Sequence, residues 1–266
     1  MPAKLILELE PDKENMLRYH SAALLHGALM ERVSPDFAEQ MHISGLRPYS
    51  QSLRSIQGKT VWKINCLNED AEKQILPVLL SDDADEIHLK HNDVTVKIIS
   101  RTLSKTSYRD LIEKYYFNDG DRIIKLQIAT PCSFKKEGKY VYYPDLHLIY
   151  QSLMKRFDAF SEKDSVYMEE ALEDLTNYTE ISGYNVRSTF FSLEGVRVPA
   201  FQGELVLKIH GPQQLVNLAN LLFHYGEYAG IGIKTAMGMG ELSIVPRDNS
   251  SKERPGTRVK EGENDR

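Results

Sequence analysis

The residues whose types and spacing point most directly to chemistry are five glycines near the end of the chain. They fall within fifteen residues, together with Lys234 and Thr235: Gly226, Gly230, Gly232, Gly238 and Gly240. Glycine adopts positive φ readily and lets another backbone approach closely. Such a loop could hold a phosphate chain with its N–H groups, with the lysine as counter-charge. The alternative is a tight connection that packs against a sheet.

Two familiar nucleotide-binding loops are excluded by the spacing. The Walker loop needs adjacent Gly and Lys, but Ile233 precedes Lys234. The dinucleotide loop needs a glycine three residues after Gly232, but position 235 is Thr. Both loops run strand, loop, helix, whereas the apolar pattern here predicts helix, loop, strand.

The elements that must position this loop form two similar halves. In the first half, apolar periodicity predicts strands at 4–10, 49–56, 59–65 and, as a pair, within 86–100, and helices at 16–33, 35–41, 69–80 and 107–117. In the second half, it predicts strands at 122–129, 184–193, 198–210 and 242–245, a hairpin at 134–143, and helices at 144–160, 166–176 and 213–225. Thr130-Pro131 is expected to end the strand that precedes it.

Each half reads strand, helix, two strands, helix, strand, the ferredoxin-like βαββαβ order. We therefore predict an α+β protein of tandem ferredoxin-like domains with antiparallel sheets and a C-terminal glycine-rich loop. The turn at 118–121 sets the boundary, which gives domains at 1–118 and 119–246. Residues 247–266 lack apolar periodicity and are predicted to be a disordered tail.

Charge and cysteine content narrow the class of protein. The formal charge is −5, but residues 69–86 and 161–180 each carry seven acids and one lysine, so the remainder is −5 + 12 = +7. A basic face that binds a polyanion is therefore compatible with this charge. Two cysteines exclude a disulfide framework and fit a reducing cytosol. We find no signal peptide or membrane span, which predicts a cytoplasmic protein.

Four blocks of sequence, spread over nearly the whole chain except its tail, form one recognisable set. The first is the glycine-rich stretch at residues 229–240. The others are Ala200-Phe-Gln-Gly203, residues 129–135 followed by Pro144 and Gln151-Ser-Leu153, and residues 36–42 followed by Tyr49-Ser-Gln-Ser52. Together they resemble one family, the CRISPR repeat-RNA-processing endoribonucleases, the sixth family of Cas proteins within the RAMP superfamily, whose signature the glycine-rich stretch resembles.

The resemblance implies metal-independent cleavage of CRISPR precursor RNA within each repeat, with no cofactor. The RNA's own 2′-hydroxyl attacks, and the products carry a 2′,3′-cyclic phosphate (or 3′-phosphate) and a 5′-hydroxyl. The partners implied are repeat RNA, as precursor and as processed guide. A homodimer and a transient association with a CRISPR effector complex are allowed as further partners.

This reaction needs a base, an acid and a cation, and histidine and arginine suit these roles. The resemblance places the N-terminal catalytic histidine at His42 and a second catalytic residue at His26. Tyr49 and Arg47 could supply a donor or the cation, although Arg47 and Pro48 stand where some members carry lysine. The competing interpretations are a helix-capping role for His42 and a half-buried structural role for His26.

For RNA binding we predict cations on the loop, a strand and the hairpin, together with the loop glycines. These are Lys234, Arg187, Lys135, Lys136, Gly230, Gly232, Gly238 and Gly240. The hairpin tyrosines at 140, 142 and 143 could stack on bases or simply pack. The other six histidines lack metal-ligand spacing, so no metal site is expected.

Two other functions stay open at this point. The first is a non-catalytic RNA-binding RAMP subunit of an effector complex that uses the loop only as a clamp. The second is a nucleotide-binding regulatory domain, which the failed nucleotide-loop patterns disfavour.

Overall fold

The computed structural model describes residues 1–12, 17–43, 45–81, 84–91, 93–193 and 195–246. The predicted tail at 247–266 and the predicted helix start at Met16 lie outside these residues. Among the described helices, none is long and apolar enough to cross a membrane.

The first half has a five-stranded antiparallel sheet and four helices, three of which share a hydrophobic core with the sheet. The sheet order is β2-β3-β1-β5-β4. Its strands are β1 (Ala3–Pro11), β2 (Tyr49–Ile56), β3 (Lys59–Cys66), β4 (Glu86–Leu89) and β5 (Val94–Lys105). Its helices are α1 (Ala22–Met30), α2 (Pro35–His42), α3 (Glu69–Leu80) and α4 (Tyr108–Tyr115).

Local sequence explains how these elements begin. Alternation along β1 turns Leu5, Leu7 and Leu9 into the core. Ser34 caps α2 by accepting the Phe37 N–H at 3.3 Å, with proline at the first helical position. The helix predicted from residue 16 is shorter than expected. Residues Tyr19–Ser21 form a 3₁₀ turn, in which the Ser21 hydroxyl accepts the Arg18 N–H at 3.2 Å, and α1 starts only after it.

The second half repeats the plan around a four-stranded sheet of order β11-β6-β10-β9. Its strands are β6 (Ile123–Cys132), β9 (Thr179–Leu193), β10 (Val196–Ile209) and β11 (Leu242–Ile244), with a separate hairpin of β7 (Phe134–Lys136) and β8 (Lys139–Val141). Its helices are α5 (Leu146–Phe160), α6 (Glu169–Asn177) and α7 (Gln213–Ala229).

One predicted break is wrong, because β6 runs through Thr130 and Pro131 to Cys132. Both residues serve the glycine-rich loop there. The Pro131 carbonyl accepts the Gly240 N–H at 2.9 Å, and the Thr130 hydroxyl accepts the Glu241 N–H at 2.9 Å. Proline is tolerated because its carbonyl still accepts a hydrogen bond although it has no N–H to give.

The strand orders β2-β3-β1-β5 and β11-β6-β10-β9 are two ferredoxin-like sheets, so the predicted tandem fold is confirmed. The β4 strand adds an edge to the first sheet. The predicted boundary at 118/119 falls in the connection between α4 and β6.

A hydrophobic cluster joins the two halves. Tyr108 and Leu111 of α4 pack with Phe157 of α5 and Tyr225 of α7. The Tyr108 hydroxyl also donates to the Leu67 carbonyl at 2.9 Å, which ties α4 to the end of β3. The connecting helix therefore forms part of the interface between the halves.

The buried Gln51 side chain joins the halves a second time, beside the loop. Its Nε2 donates to the carbonyls of Ala22 at 2.9 Å and Ala236 at 2.7 Å, and its Oε1 accepts the Trp62 indole N–H at 2.6 Å. Ala22 begins α1 and Ala236 lies in the glycine-rich loop. One amide therefore fixes the distance between the first helix and the loop.

An ion-pair cluster lies next to this amide. The buried Glu241 carboxylate, at the end of the loop, contacts Lys63 at 2.5 Å and Arg54 at 3.4 Å, both on the first sheet. Burial alone would raise the pKa of Glu241, but the two cations hold it below its ordinary value.

We expect Gln51→Met to weaken the attachment of the loop to the first half. The substitution leaves the Trp62 N–H and the Ala236 carbonyl without partners, at roughly 1–3 kcal/mol each. The measurement is the free energy of unfolding in urea. Gln127→Met is the matched control, because Gln127 is only half-buried and makes longer bonds of 3.2 and 3.4 Å. Equal losses in the two variants would contradict the role assigned to Gln51.

Candidate active site

A groove of about 910 Å³ lies between the helices of the first half and the tip of the β9–β10 hairpin. Four of the chain's eight histidines line it: His20, His26, His42 and His91. Arg47 lines it as well, as does Met237 of the glycine-rich loop. The groove is therefore built by both halves, and we call it the histidine groove.

His26 lies at the base of this groove and is 8% exposed. Its Nδ1 forms a short hydrogen bond with the hydroxyl of Tyr49, which is fully buried on β2. Burial, followed by the positive charges of Arg47 and His42, lowers the pKa of His26 to about 4. The imidazole is therefore neutral at neutral pH, and its Nε2 is the nitrogen left for the groove.

His42 and Arg47 line the same groove. His42 is exposed at the last position of α2, and Arg47 follows in the next loop. The Arg47 Nε donates to the Met41 carbonyl at 2.7 Å, so the arginine is tied to the end of the helix that carries His42. This bond holds the guanidinium beside the histidine.

The structure thus brings His26, His42 and Arg47 together and places Tyr49 differently from the other three. Tyr49 is not among the residues that line the groove, and burial raises its pKa. It touches the site only through His26. A role in orienting that ring fits this position better than direct donation to RNA.

The glycine-rich loop uses most of its own N–H groups within the protein. The carbonyls of Gly240 and Ser133 accept from Ile231 and Ile233, both at 2.9 Å, and the Ser152 hydroxyl accepts from Gly232 at 2.9 Å. Within the described chain, only residues 234–236 of the loop have N–H groups with no partner. Phosphate binding by the loop stays a prediction, for which only the N–H groups of this one turn are available.

Close backbone packing explains the loop glycines. All four of those predicted to bind RNA are buried with positive φ. A Cβ on Gly240 would lie 1.9 Å from the Ile231 oxygen, and one on Gly238 would lie 2.4 Å from the Ala22 Cβ of α1. The tight connection considered from the sequence is thus present, and RNA binding by these glycines stays a prediction.

The predicted RNA-binding cations are all exposed but do not lie together. Lys234 projects from the loop with a left-handed φ of 56°. Lys135 and Lys136 lie on the β7–β8 hairpin, near exposed Tyr140, and Arg187 lies on β9 opposite Gln202. These last three cations are not among the residues that line the histidine groove.

Three groups in this region have no role predicted from the sequence. His20 and His91 line the groove, although their spacing carried no signal. Arg156, on α5, is 3% exposed beside the loop. Burial of Arg156 could have been predicted from the sequence, because it falls at helical spacing with the buried Ile149, Leu153 and Phe160. In the described residues no group of three or more His, Cys, Asp or Glu could hold a metal ion.

The fold and site define a class of protein: tandem ferredoxin-like domains with a histidine groove beside a glycine-rich loop. The family model described as CRISPR-associated endoribonuclease Cas6 matches residues 126–242. The Streptococcus thermophilus CRISPR-associated endoribonuclease Cas6 is 30% identical over 229 residues, 85% of this chain and 92% of that protein. The chain belongs to the Cas6 family.

Solved structures share the fold. A Cas6 product complex has a TM-score of 0.75 at 22% identity and covers 92% of this chain and 100% of its own. Thermus thermophilus Cas6 has a TM-score of 0.71 at 21% identity, with coverage of 92% and 98%. At these identities the likeness concerns the fold alone.

We expect Gly240→Ala to destabilise the protein far more than Gly138→Ala. Both glycines have positive φ, 67° and 79°, but a Cβ at 138 meets nothing within 4 Å. The control should therefore lose about 1 kcal/mol from backbone strain alone, and Gly240→Ala at least about 3 kcal/mol because its Cβ strikes the Ile231 carbonyl. Urea unfolding measures both, and similar losses would contradict the packing role.

His26 should make stability fall with acid. Below pH 6.5 the unfolded chain protonates this histidine, whereas the folded protein does so only near pH 4. Between pH 7.5 and 4.5 this difference costs about 2–3 kcal/mol. His26→Gln should remove that part of the pH dependence. The free energy of unfolding is measured for both proteins at each pH, and parallel curves would disprove the assignment.

Proposed function

We propose that the chain is an endoribonuclease that cleaves CRISPR precursor RNA within its repeats. The 2′-hydroxyl attacks the adjacent phosphate without a metal, leaving a 2′,3′-cyclic phosphate (or 3′-phosphate) and a 5′-hydroxyl. The observation that carries this proposal is the convergence of His26, His42 and Arg47 in one groove that also touches the glycine-rich loop. Family membership supports it, as does the endoribonuclease activity for which the relatives are named.

We assign the base to His26. A neutral imidazole is the form that accepts a proton, and the pKa of His26, about 4, keeps it neutral at neutral pH. If its Nδ1–H donates to the Tyr49 oxygen, the Nε2 lone pair is left facing the groove. The Tyr49 contact would then fix both tautomer and ring orientation.

We assign the acid to His42 and the charge-stabilising cation to Arg47. Histidine is the side chain suited to general acid catalysis near neutral pH, and His42 is exposed and lines the same groove as His26. It would protonate the leaving 5′-oxygen. Arg47 is held beside it and would neutralise charge that builds up on the phosphorane.

The RNA would extend from the groove over the exposed cations. We propose that Lys234 and its loop contact the backbone near the cleavage site, and that Arg187, Lys135 and Lys136 contact more distant phosphates. Cleavage of transcripts would take place in the cytoplasm. A homodimer and a transient contact with an effector complex remain proposals that do not bear on this chemistry.

His42→Ala and His26→Ala should each slow cleavage of repeat RNA in EDTA by about 10²–10⁴-fold, because each removes a positioned acid or base. The measurement is the single-turnover rate at saturating protein. His210→Ala is the matched control, since His210 is an exposed histidine of the second domain, away from the groove, and lies 3.5 Å from Glu180. RNA with a 2′-deoxy group at the cleaved nucleotide should not be cut.

Undiminished cleavage by both variants would remove these histidines from the mechanism. RNA binding without any cleavage by the unaltered protein would instead favour the alternative, a non-catalytic RNA-binding subunit. Loss of cleavage on EDTA treatment that metal restores would contradict the metal-independent route.

A further inference from the structure

Arg156 is a buried cation without a full set of partners. One Nη2–H donates to the Gly232 carbonyl at 3.0 Å. Its Nε and Nη1 are buried and have no hydrogen-bond acceptor in the described part of the chain. Burial lowers the pKa of Arg156 to about 10. A buried guanidinium with unused donors is costly, and proteins normally compensate such a charge with an anion.

A small pocket lies beside Arg156. It measures about 190 Å³, and three basic side chains line it: Arg47, Arg156 and Lys234. The lining residues that the structure describes include no Asp or Glu. We call this space the anion pocket. Its volume is below the roughly 300–1,000 Å³ typical of ligand pockets, which suits a small charged group.

The anion pocket shares a wall with the histidine groove. Arg47, Leu193 and Met237 line both cavities. Arg47 therefore stands between the proposed cleavage chemistry on one side and Arg156 with Lys234 on the other. A polyanion that passes through the groove meets the anion pocket next.

We propose that the anion pocket binds one backbone phosphate of the RNA, the neighbour of the phosphate that is cleaved, and that Arg156 is a positioning residue for it. This inference rests on the proposed function for the identity of the ligand. Phosphate fits because its oxygens accept from guanidinium and ammonium donors at once. Holding the neighbouring phosphate would fix the scissile bond relative to His26 and His42.

The test combines single-phosphate neutralisation with single substitutions. The probe is repeat RNA with a 2′-deoxy group at the cleaved nucleotide, carrying one methylphosphonate at each position in turn. With the unaltered protein, neutralising the neighbouring phosphate should weaken binding about tenfold to a hundredfold. With Arg156→Gln the same neutralisation should change affinity less than about threefold, while the other positions behave as before.

Arg109→Gln is the control, because Arg109 is exposed on α4, pairs with Glu113 at 2.7 Å and does not line the pocket, so the response at this phosphate should be unchanged. If Arg156→Gln fails to fold, Lys234→Gln tests the exposed wall of the same pocket. In that variant, neutralising the same neighbouring phosphate should also lose its effect on affinity. Arg156→Lys should regain part of the coupling, because it retains the charge.

The outcomes separate this inference from the proposed function. The inference would be overturned if Arg156→Gln weakened binding of every methylphosphonate RNA by the same factor, since Arg156 would then only support the loop. Coupling at a phosphate remote from the mapped cleavage position would overturn it too. An unaltered protein that never cleaves RNA, yet shows the coupling, would refute the nuclease and support the phosphate pocket.

Discussion

The site depends on the amide of Gln51, which spans the two halves. It joins the first turn of α1 to the glycine-rich loop and is itself held by Trp62. Because α1 carries His26 and the loop carries Lys234, this one side chain fixes the histidine groove against the anion pocket. All three hydrogen bonds are buried, so losing the amide would leave polar groups without these partners. Glu241 reinforces the same junction through Lys63 and Arg54.

Burial of polar groups recurs around this junction and shapes the chemistry. His26 is kept neutral by burial, while Glu241 is kept charged by cations that offset its burial. Arg156 is kept in the interior with donors unused. Such perturbed groups concentrate where function demands them. The junction between the halves thus holds a neutral His26, an ionised Glu241 and a buried Arg156 with unused donors.

Much of the architecture could be predicted because apolar periodicity and caps are local signals. The βαββαβ order, the Ser34 cap of α2 and the β2–β3 hairpin follow from short stretches. The strand through Pro131 could not be predicted, because its carbonyl is satisfied by Gly240, more than a hundred residues later. The late start of the first helix has a local cause instead, since the Ser21 hydroxyl accepts the Arg18 N–H three residues earlier in a 3₁₀ turn.

By itself, the sequence determined the two-domain plan, the family resemblance and the pairing of His26 with His42 as candidates. Only the tertiary structure decided what each residue faces. Tyr49, Gln51 and Leu53 are alternate residues of β2 and all are buried. Which groups they contact depends on how the rest of the chain packs against this strand. Burial and pairing across the junction are non-local quantities. Tertiary contacts alone show that Tyr49 bonds to His26, that the loop glycines pack closely against other backbone, and that Arg156 lines the anion pocket.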